Sequence, residues 1–360
     1  MRNSLQTRRI NEALGVPDNI YETSLKLFDK FYNWTKSLRK KDFKKGVGAK
    51  TILRGDFRVG DYEFSNIKFQ LGVEKFEQLE EPSLVSMVNR SSSKKTEDFK
   101  LQSIKKKSVD LLVIIGIPED YSYRNISEFV LAQKNEIVEN FSHELKHAYD
   151  HFKMPYDNRK IRSEYQAVLS LSSGIPAVDQ FLHDIYFTSV NESLVRPSEI
   201  AAAIKNNQIS QKDFLNFLNS NETYRILKRI SNFNYETFKR EILQDKKALN
   251  SFLKNIGLRP TSLTDEQKLQ EALKSVQQAI TSSKIEQFGE ILTQSFYEQL
   301  FGFEGEKLKI FEKFSKQNMK FKTPDDFFRF YQNRFHLVGR EMMKKLAKLY
   351  DITRKQNPQQ

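Results

Sequence analysis

The stretch Phe141-Ser142-His143-Glu144-Leu145-Lys146-His147-Ala148-Tyr149-Asp150 contains the pattern H-E-x-x-H, and its reading decides what the segments around it are for. On a helix, residues four apart share a face, so His143 and His147 can each aim a ring nitrogen at one ion about 2.0–2.1 Å away. Two neutral imidazoles hold Zn2+ without cancelling its charge. A third protein ligand completes the grip and leaves a position for a water whose pKa falls towards about 7. Glu144 then sits beside the metal, with the chemistry of a general base that takes the water's proton and passes it to a leaving amine.

The surrounding residues set the orientation of this helix. Ile137, Phe141, Leu145, Ala148 and Phe152 recur at helical spacing and form a packing stripe. His143 projects about 200° around the axis from Phe141. The histidines are therefore expected to face away from the stripe, with Glu136, Asn140 and Asp150, onto a cleft or solvent. Three of the five histidines in the chain, His143, His147 and His151, fall within nine residues.

Upstream, the period of the pattern is two. Phe57-Arg58-Val59 and Tyr62-Glu63-Phe64 flank Gly60-Asp61, a hairpin signal, and Ile67 to Leu71 alternates apolar with polar. Val109 to Ile117 reads as a buried strand ended by Pro118, and Ser91 to Lys95 as a polar loop. Asn125 and Glu128 have capping-box spacing, from which one or two helices run through His147. Before the strands, Ile20 to Leu38 carries a loose helical stripe. After the motif, helices are expected over Ile161 to Leu171 and Val178 to Glu192, the latter stopped by Pro197. From residue 200 the pattern is nearly all helical, with a helix start at Thr323-Pro324-Asp325-Asp326. The Phe327 to Leu346 stripe, including Phe328, Phe330, Tyr331 and Phe335, reads as core packing and not as a base-stacking platform. The fold class is thus α+β: an antiparallel sheet and motif helix followed by a mainly helical region. The expected divisions are an N-terminal helical segment (1–45), a metal-binding domain (46–200) and a helical domain (201–360).

H-E-L-K-H-A-Y-D following a sheet resembles the zincin metallopeptidases, in which an antiparallel sheet precedes a helix bearing H-E-x-x-H. The resemblance covers about a quarter of the chain, from the strand near residue 111 to about residue 200. It implies Zn2+ as cofactor, His143 and His147 as ligands, Glu144 as general base, and a protein or peptide substrate. Metzincins carry Gly three and His six residues after the second His. Here those positions are Asp150 and Lys153, and His151 lies too far along the helix to join the same ion easily. A gluzincin-like site takes Glu from a later helix, and three residues compete for that place. Glu192 shares a stripe with Val178, Leu182 and Ile185, and Asn191-Glu192 is similar to the gluzincin N-E signature, which makes it the first choice. Glu164, in Glu164-Tyr165-Gln166-Ala167, looks like the E-x-x-A of some compact zincins, and Glu199 follows in Arg196-Pro197-Ser198-Glu199. Gluzincins also place an Asp four residues after the Glu to brace a ligand His. Arg196 stands there, leaving Asp150 or Glu199 for that task. His183, Tyr149, Tyr165 and Tyr186 are candidate partners for an oxyanion or leaving group. The pairing with Val195-Arg196-Pro197-Ser198-Glu199 also looks like uncharacterised H-E-x-x-H proteins of large tailed phages, implying virion association as an alternative setting.

Composition bounds these readings. In 360 residues, 29 Phe and 14 Tyr supply a real core. The formal net charge of +13 favours anionic neighbours, nucleic acid among them. A non-catalytic particle protein that keeps the fold and binds nucleic acid is the rival reading. With no cysteine, disulfides and Cys-based zinc fingers are excluded, so a metal must use His and carboxylate. The first residues show no apolar signal segment, and Leu111 to Ile117 is far short of the roughly 20 residues that span a bilayer. A cytoplasmic protein without a membrane span is expected.

Overall fold

Val109 to Ile117 forms the spine of a four-stranded sheet in the computed structural model, which describes residues 16–17, 19–43, 48–76, 79–89, 108–153, 168, 172–206, 209, 212–282 and 316–356. The strands are β1 (Ala49–Val59), β2 (Tyr62–Lys75), β3 (Ser83–Asn89) and β4 (Ser108–Ile117), in the order β1-β2-β4-β3. Every residue from Leu111 to Ile117 is buried, as expected of a strand with neighbours on both edges and cover on both faces. The described helices are α1 (Ile20–Thr35), α2 (Ile126–Ala132), α3 (Lys134–Lys153), α4 (Pro176–Phe187), α5 (Val190–Asn206), α6 (Phe214–Ser220), α7 (Glu222–Ser231), α8 (Tyr235–Gln244), α9 (Lys246–Asn255), α10 (Asp265–Ser282) and α11 (Pro324–Gln356). The α+β class therefore stands, with the sheet early and helices late.

The sheet is mixed, and this corrects the expectation of an antiparallel one. β1 and β2 pair antiparallel, as do β3 and β4, but β2 and β4 run parallel, with Phe69 opposite Leu111. Alternation along a strand reports which face is buried and says nothing of its neighbour's direction. Here the return from β2 passes through β3 before β4 enters beside β2, which is the kind of crossover a parallel pair requires. The hairpin read at Gly60-Asp61 is present: Val59 pairs with Tyr62, and Gly60 takes φ +56°, the positive value that tight hairpin turns demand.

By its contacts the chain divides into two compact units. One comprises residues 1–155, 194–223 and 345–360, and the other residues 156–193 and 224–344. In the first, α3 lies against α1 and the sheet. Phe141 meets Phe31 edge-on at 5.7 Å and Phe69 at 5.6 Å, and Phe31 and Phe69 lie 5.1 Å apart. In the second, Phe181 of α4 is surrounded by Phe233, Phe238, Phe328 and Phe335 at 4.9–5.6 Å between ring centres. The α11 stripe thus packs as core, with Phe327, Phe328, Tyr331 and Phe335 buried and Phe330 the exception at 36% exposure.

Two local readings change. Asn125 does precede α2, but its side chain makes no cap; Ser122 instead accepts from the Arg124 N–H in a short 3-10 turn just before. Pro197 lies inside α5 and does not end it. A proline there removes one hydrogen bond and crowds the preceding turn, at about 3 kcal/mol. Val195, Ile200 and Ile204 are all buried around it, and each such side chain contributes about 1.5–3 kcal/mol, so packing outweighs the break. The expected loop at Ser91 to Lys95 and all but residue 168 of the expected helix Ile161 to Leu171, Glu164 and Tyr165 included, lie outside the described residues.

Candidate metal centre

The rotation of α3 is set by its apolar stripe. Ile137, Phe141, Leu145 and Ala148 are fully buried, and Ser142, beside Phe141, bonds Ser24 Oγ of α1 at 2.9 Å and the Val138 carbonyl at 3.0 Å. With that face committed, His143 and His147 project from the other side, as the periodicity implies. That side is covered, however. α5 lies along it, tied by a hydrogen bond from Ser198 Oγ to the Ser142 carbonyl at 3.3 Å and by a 2.7 Å contact between Glu199 Oε1 and His143 Nδ1. His143 and Glu144 are consequently only 6% and 7% exposed, and His147 is half-buried. Of the cleft or solvent expected for the histidines, solvent is thereby ruled out for His143, because a helix some 50 residues downstream packs over that face.

The two Nε2 atoms of His143 and His147 approach to 2.9 Å, with the rings nearly perpendicular at 4.5 Å. Glu192, in the first turn of α5, completes a group in which one ligand atom from each of His143, His147 and Glu192 lies within 4.8 Å of the others. Ligands about 2.0–2.1 Å from one tetrahedral ion are about 3.4 Å from each other. The observed spacing is close enough to that figure for small side-chain movements to close it. The donor set of two imidazoles and a carboxylate fits Zn2+.

Glu199 is the brace for His143. Its Oε1 also accepts from Arg196 at 2.7 Å and its Oε2 from Thr223 Oγ1 at 2.7 Å. Burial by itself would push this carboxyl up, but the Arg196 guanidinium, His143 and the Thr223 hydroxyl outweigh it and hold the pKa at about 2. A carboxylate at Nδ1 fixes the proton on that nitrogen and leaves the Nε2 lone pair directed at the cluster. Glu192, Arg196 and Glu199 follow i, i+4, i+7 spacing on one face of α5. The brace expected four residues after Glu192 stands seven after it, and Arg196, in the fourth place, holds the brace. Asp150, the other residue considered for this task, pairs with Lys146 at 2.5 Å.

Glu144 Oε1 lies 3.9 Å from His143 Nε2. The Tyr186 hydroxyl donates to Glu192 Oε1 at 2.6 Å, so this tyrosine touches the carboxylate of the cluster. Tyr149 packs edge-on to Tyr62 at 5.5 Å beneath the hairpin turn. The His183 side chain is 40% exposed, 3.9 Å from Asp184. Sequence reasoning missed Thr223 and Ser198: a hydroxyl residue far along the chain carries no periodic signal, and only the fold brings it to Glu199 or to α3. Among the described residues no helix is long and apolar enough to cross a membrane. No protein-family model, no curated protein and no solved structure matches this chain.

Proposed function

We propose that the chain is a zinc-dependent metalloendopeptidase in which His143, His147 and Glu192 hold the ion and Glu144 is the general base. The observation that supports this reading is the convergence of those three ligand atoms, from α3 and the first turn of α5, within 4.8 Å in a buried setting, with the Glu144 carboxylate adjoining. Zinc held there supplies a Lewis acid towards a substrate carbonyl and makes water more acidic. Glu144 accepts the proton of the attacking water on a carboxylate oxygen and delivers it to the leaving amine nitrogen. Glu199, kept ionised by Arg196 and Thr223, holds the His143 ring in one tautomer. The cover supplied by α5 limits bulk water around His143 and Glu144, which strengthens each of these interactions.

The donor set supports metal-assisted hydrolysis in general, and the choice of peptide bonds follows the resemblance of His143-Glu144-Leu145-Lys146-His147 to the zincins. The test has two parts: metal analysis of protein purified without added zinc, and cleavage of an unstructured protein such as casein before and after chelation. One equivalent of zinc with chelator-sensitive cleavage is expected. The charge of +13 supports the rival, a non-catalytic protein that binds nucleic acid. Zinc retained without cleavage, together with salt-sensitive binding of DNA or RNA, would decide for it.

A further inference from the structure

We propose that Tyr186 is the positioning residue for Glu192, turning that carboxylate away from its own helix end and towards the histidine pair; the inference rests on the metal centre proposed above. Ser189-Val190-Asn191-Glu192 has the S-x-x-E spacing of a capping box, in which the glutamate at the third helical position folds back onto the N–H of the capping residue. Half of that motif forms: the Glu192 N–H reaches Ser189 Oγ at 3.4 Å. The other half is replaced. The Ser189 N–H bonds the Tyr186 carbonyl at 2.9 Å, so the duty that a capping-box glutamate performs is taken by the Tyr186 backbone. The hydroxyl of the same tyrosine then donates to Glu192 Oε1 at 2.6 Å.

Both ends of Tyr186 therefore act to one result. Its carbonyl satisfies the helix end and its phenol holds one carboxylate oxygen, which directs ligation to the other. Glu192 is 1% exposed, and burying a glutamate costs it rotamer freedom; fixing it in advance spares the ion that ordering. This assigns Tyr186 a place beside the ligand and not the transition-state role considered from sequence.

The test is Tyr186→Phe, which keeps the ring and removes the donor. Zinc affinity by competition with a chromogenic chelator is expected to fall about 10–100-fold, and the visible absorption of the Co2+ form is expected to change shape as the carboxylate reorients. The same substitution in a Glu192→Ala background is expected to cause no further loss, because the tyrosine acts only through that carboxylate. A tyrosine that merely supports the fold would lower affinity in both backgrounds, and that result overturns the proposal. So do wild-type zinc affinity and an unchanged Co2+ spectrum in Tyr186→Phe. If the wild-type protein binds neither ion, the metal centre itself is wrong and the inference falls with it.

Discussion

His143 Nδ1 and Glu199 Oε1 lie 2.7 Å apart, joining the first residue of H-E-x-x-H to a carboxylate on a helix that begins 47 residues later. Removing this brace while keeping its shape should cost affinity before it costs structure. Glu199→Gln is expected to weaken zinc binding about 10–100-fold, read by chelator competition, and to leave the far-UV circular dichroism unchanged. A variant with wild-type affinity would show that the contact is incidental.

The same carboxylate gives a pH dependence. Its folded pKa of about 2 lies below the ordinary value of 4.5. Its contribution to stability is therefore complete above about pH 4.5 and is lost as the pH falls towards 2. Metal-free wild type should lose melting temperature over that window, and Glu199→Gln should lose less. Parallel acid limbs for the two proteins would contradict the assignment.

Ligand substitutions should separate by burial. His143→Ala, His147→Ala and Glu192→Ala are each expected to lose stoichiometric zinc on purification, because two remaining protein ligands are too few for a tight site; the histidine pair left in Glu192→Ala keeps a weak affinity that chelator competition still reads. In metal-free protein, His143→Ala should lower the melting temperature more than His147→Ala. His143 is buried against Glu199, and its loss leaves a carboxylate without one of its donors, at about 1–3 kcal/mol. His147 is half-buried. Equal melting temperatures would mean that the contact with Glu199 contributes nothing.

What the sequence made legible follows from what is local. The spacing of His143 and His147, the stripe Ile137-Phe141-Leu145-Ala148, the turn at Gly60 and the buried run at Val109–Ile117 each depend on residues a few positions apart, and each appears in the structure as read. The parallel pairing of β2 with β4, the cover of α5 over α3, and the bonds from Thr223 and Ser198 join segments between 24 and 56 residues apart. No periodicity encodes those. Glu192 was reachable because an apolar stripe and the Asn191-Glu192 pair both mark it. Its partner Tyr186 was visible only as an aromatic on a helix, and Pro197 misled because its local penalty is fixed whereas the packing that offsets it is tertiary.

The hairpin beside α3 is a further point of stress. A Cβ on Gly60 would stand 2.6 Å from Cε2 of Tyr149, and the residue has φ +56°. Gly60→Ala combines a backbone cost of about 1–2 kcal/mol with displacement of a ring on the motif helix. A loss of at least about 2 kcal/mol in urea unfolding is expected. Adding Tyr149→Ala should recover the steric part and leave the backbone part, and a fully additive double variant would show that the two positions do not press on each other.

The last prediction concerns Glu144, which belongs to the reaction and not to the ligand set. It is 7% exposed, with its carboxylate 3.9 Å from His143 Nε2, so it stands beside the ion that His143 would hold without being needed to hold it. Glu144→Gln preserves size and hydrogen-bonding shape but cannot accept a proton from water. Zinc should stay bound at one equivalent while casein cleavage falls by at least about 10²–10⁴-fold, the usual consequence of removing a general base. A glutamate that only braces its neighbours gives a different pattern, with altered melting temperature and no cleavage by either protein. Measuring zinc content, melting temperature and cleavage on the same two preparations separates these cases. Equal cleavage by wild type and Glu144→Gln, or cleavage that survives chelation, would exclude Glu144 as the base and the metallopeptidase mechanism with it.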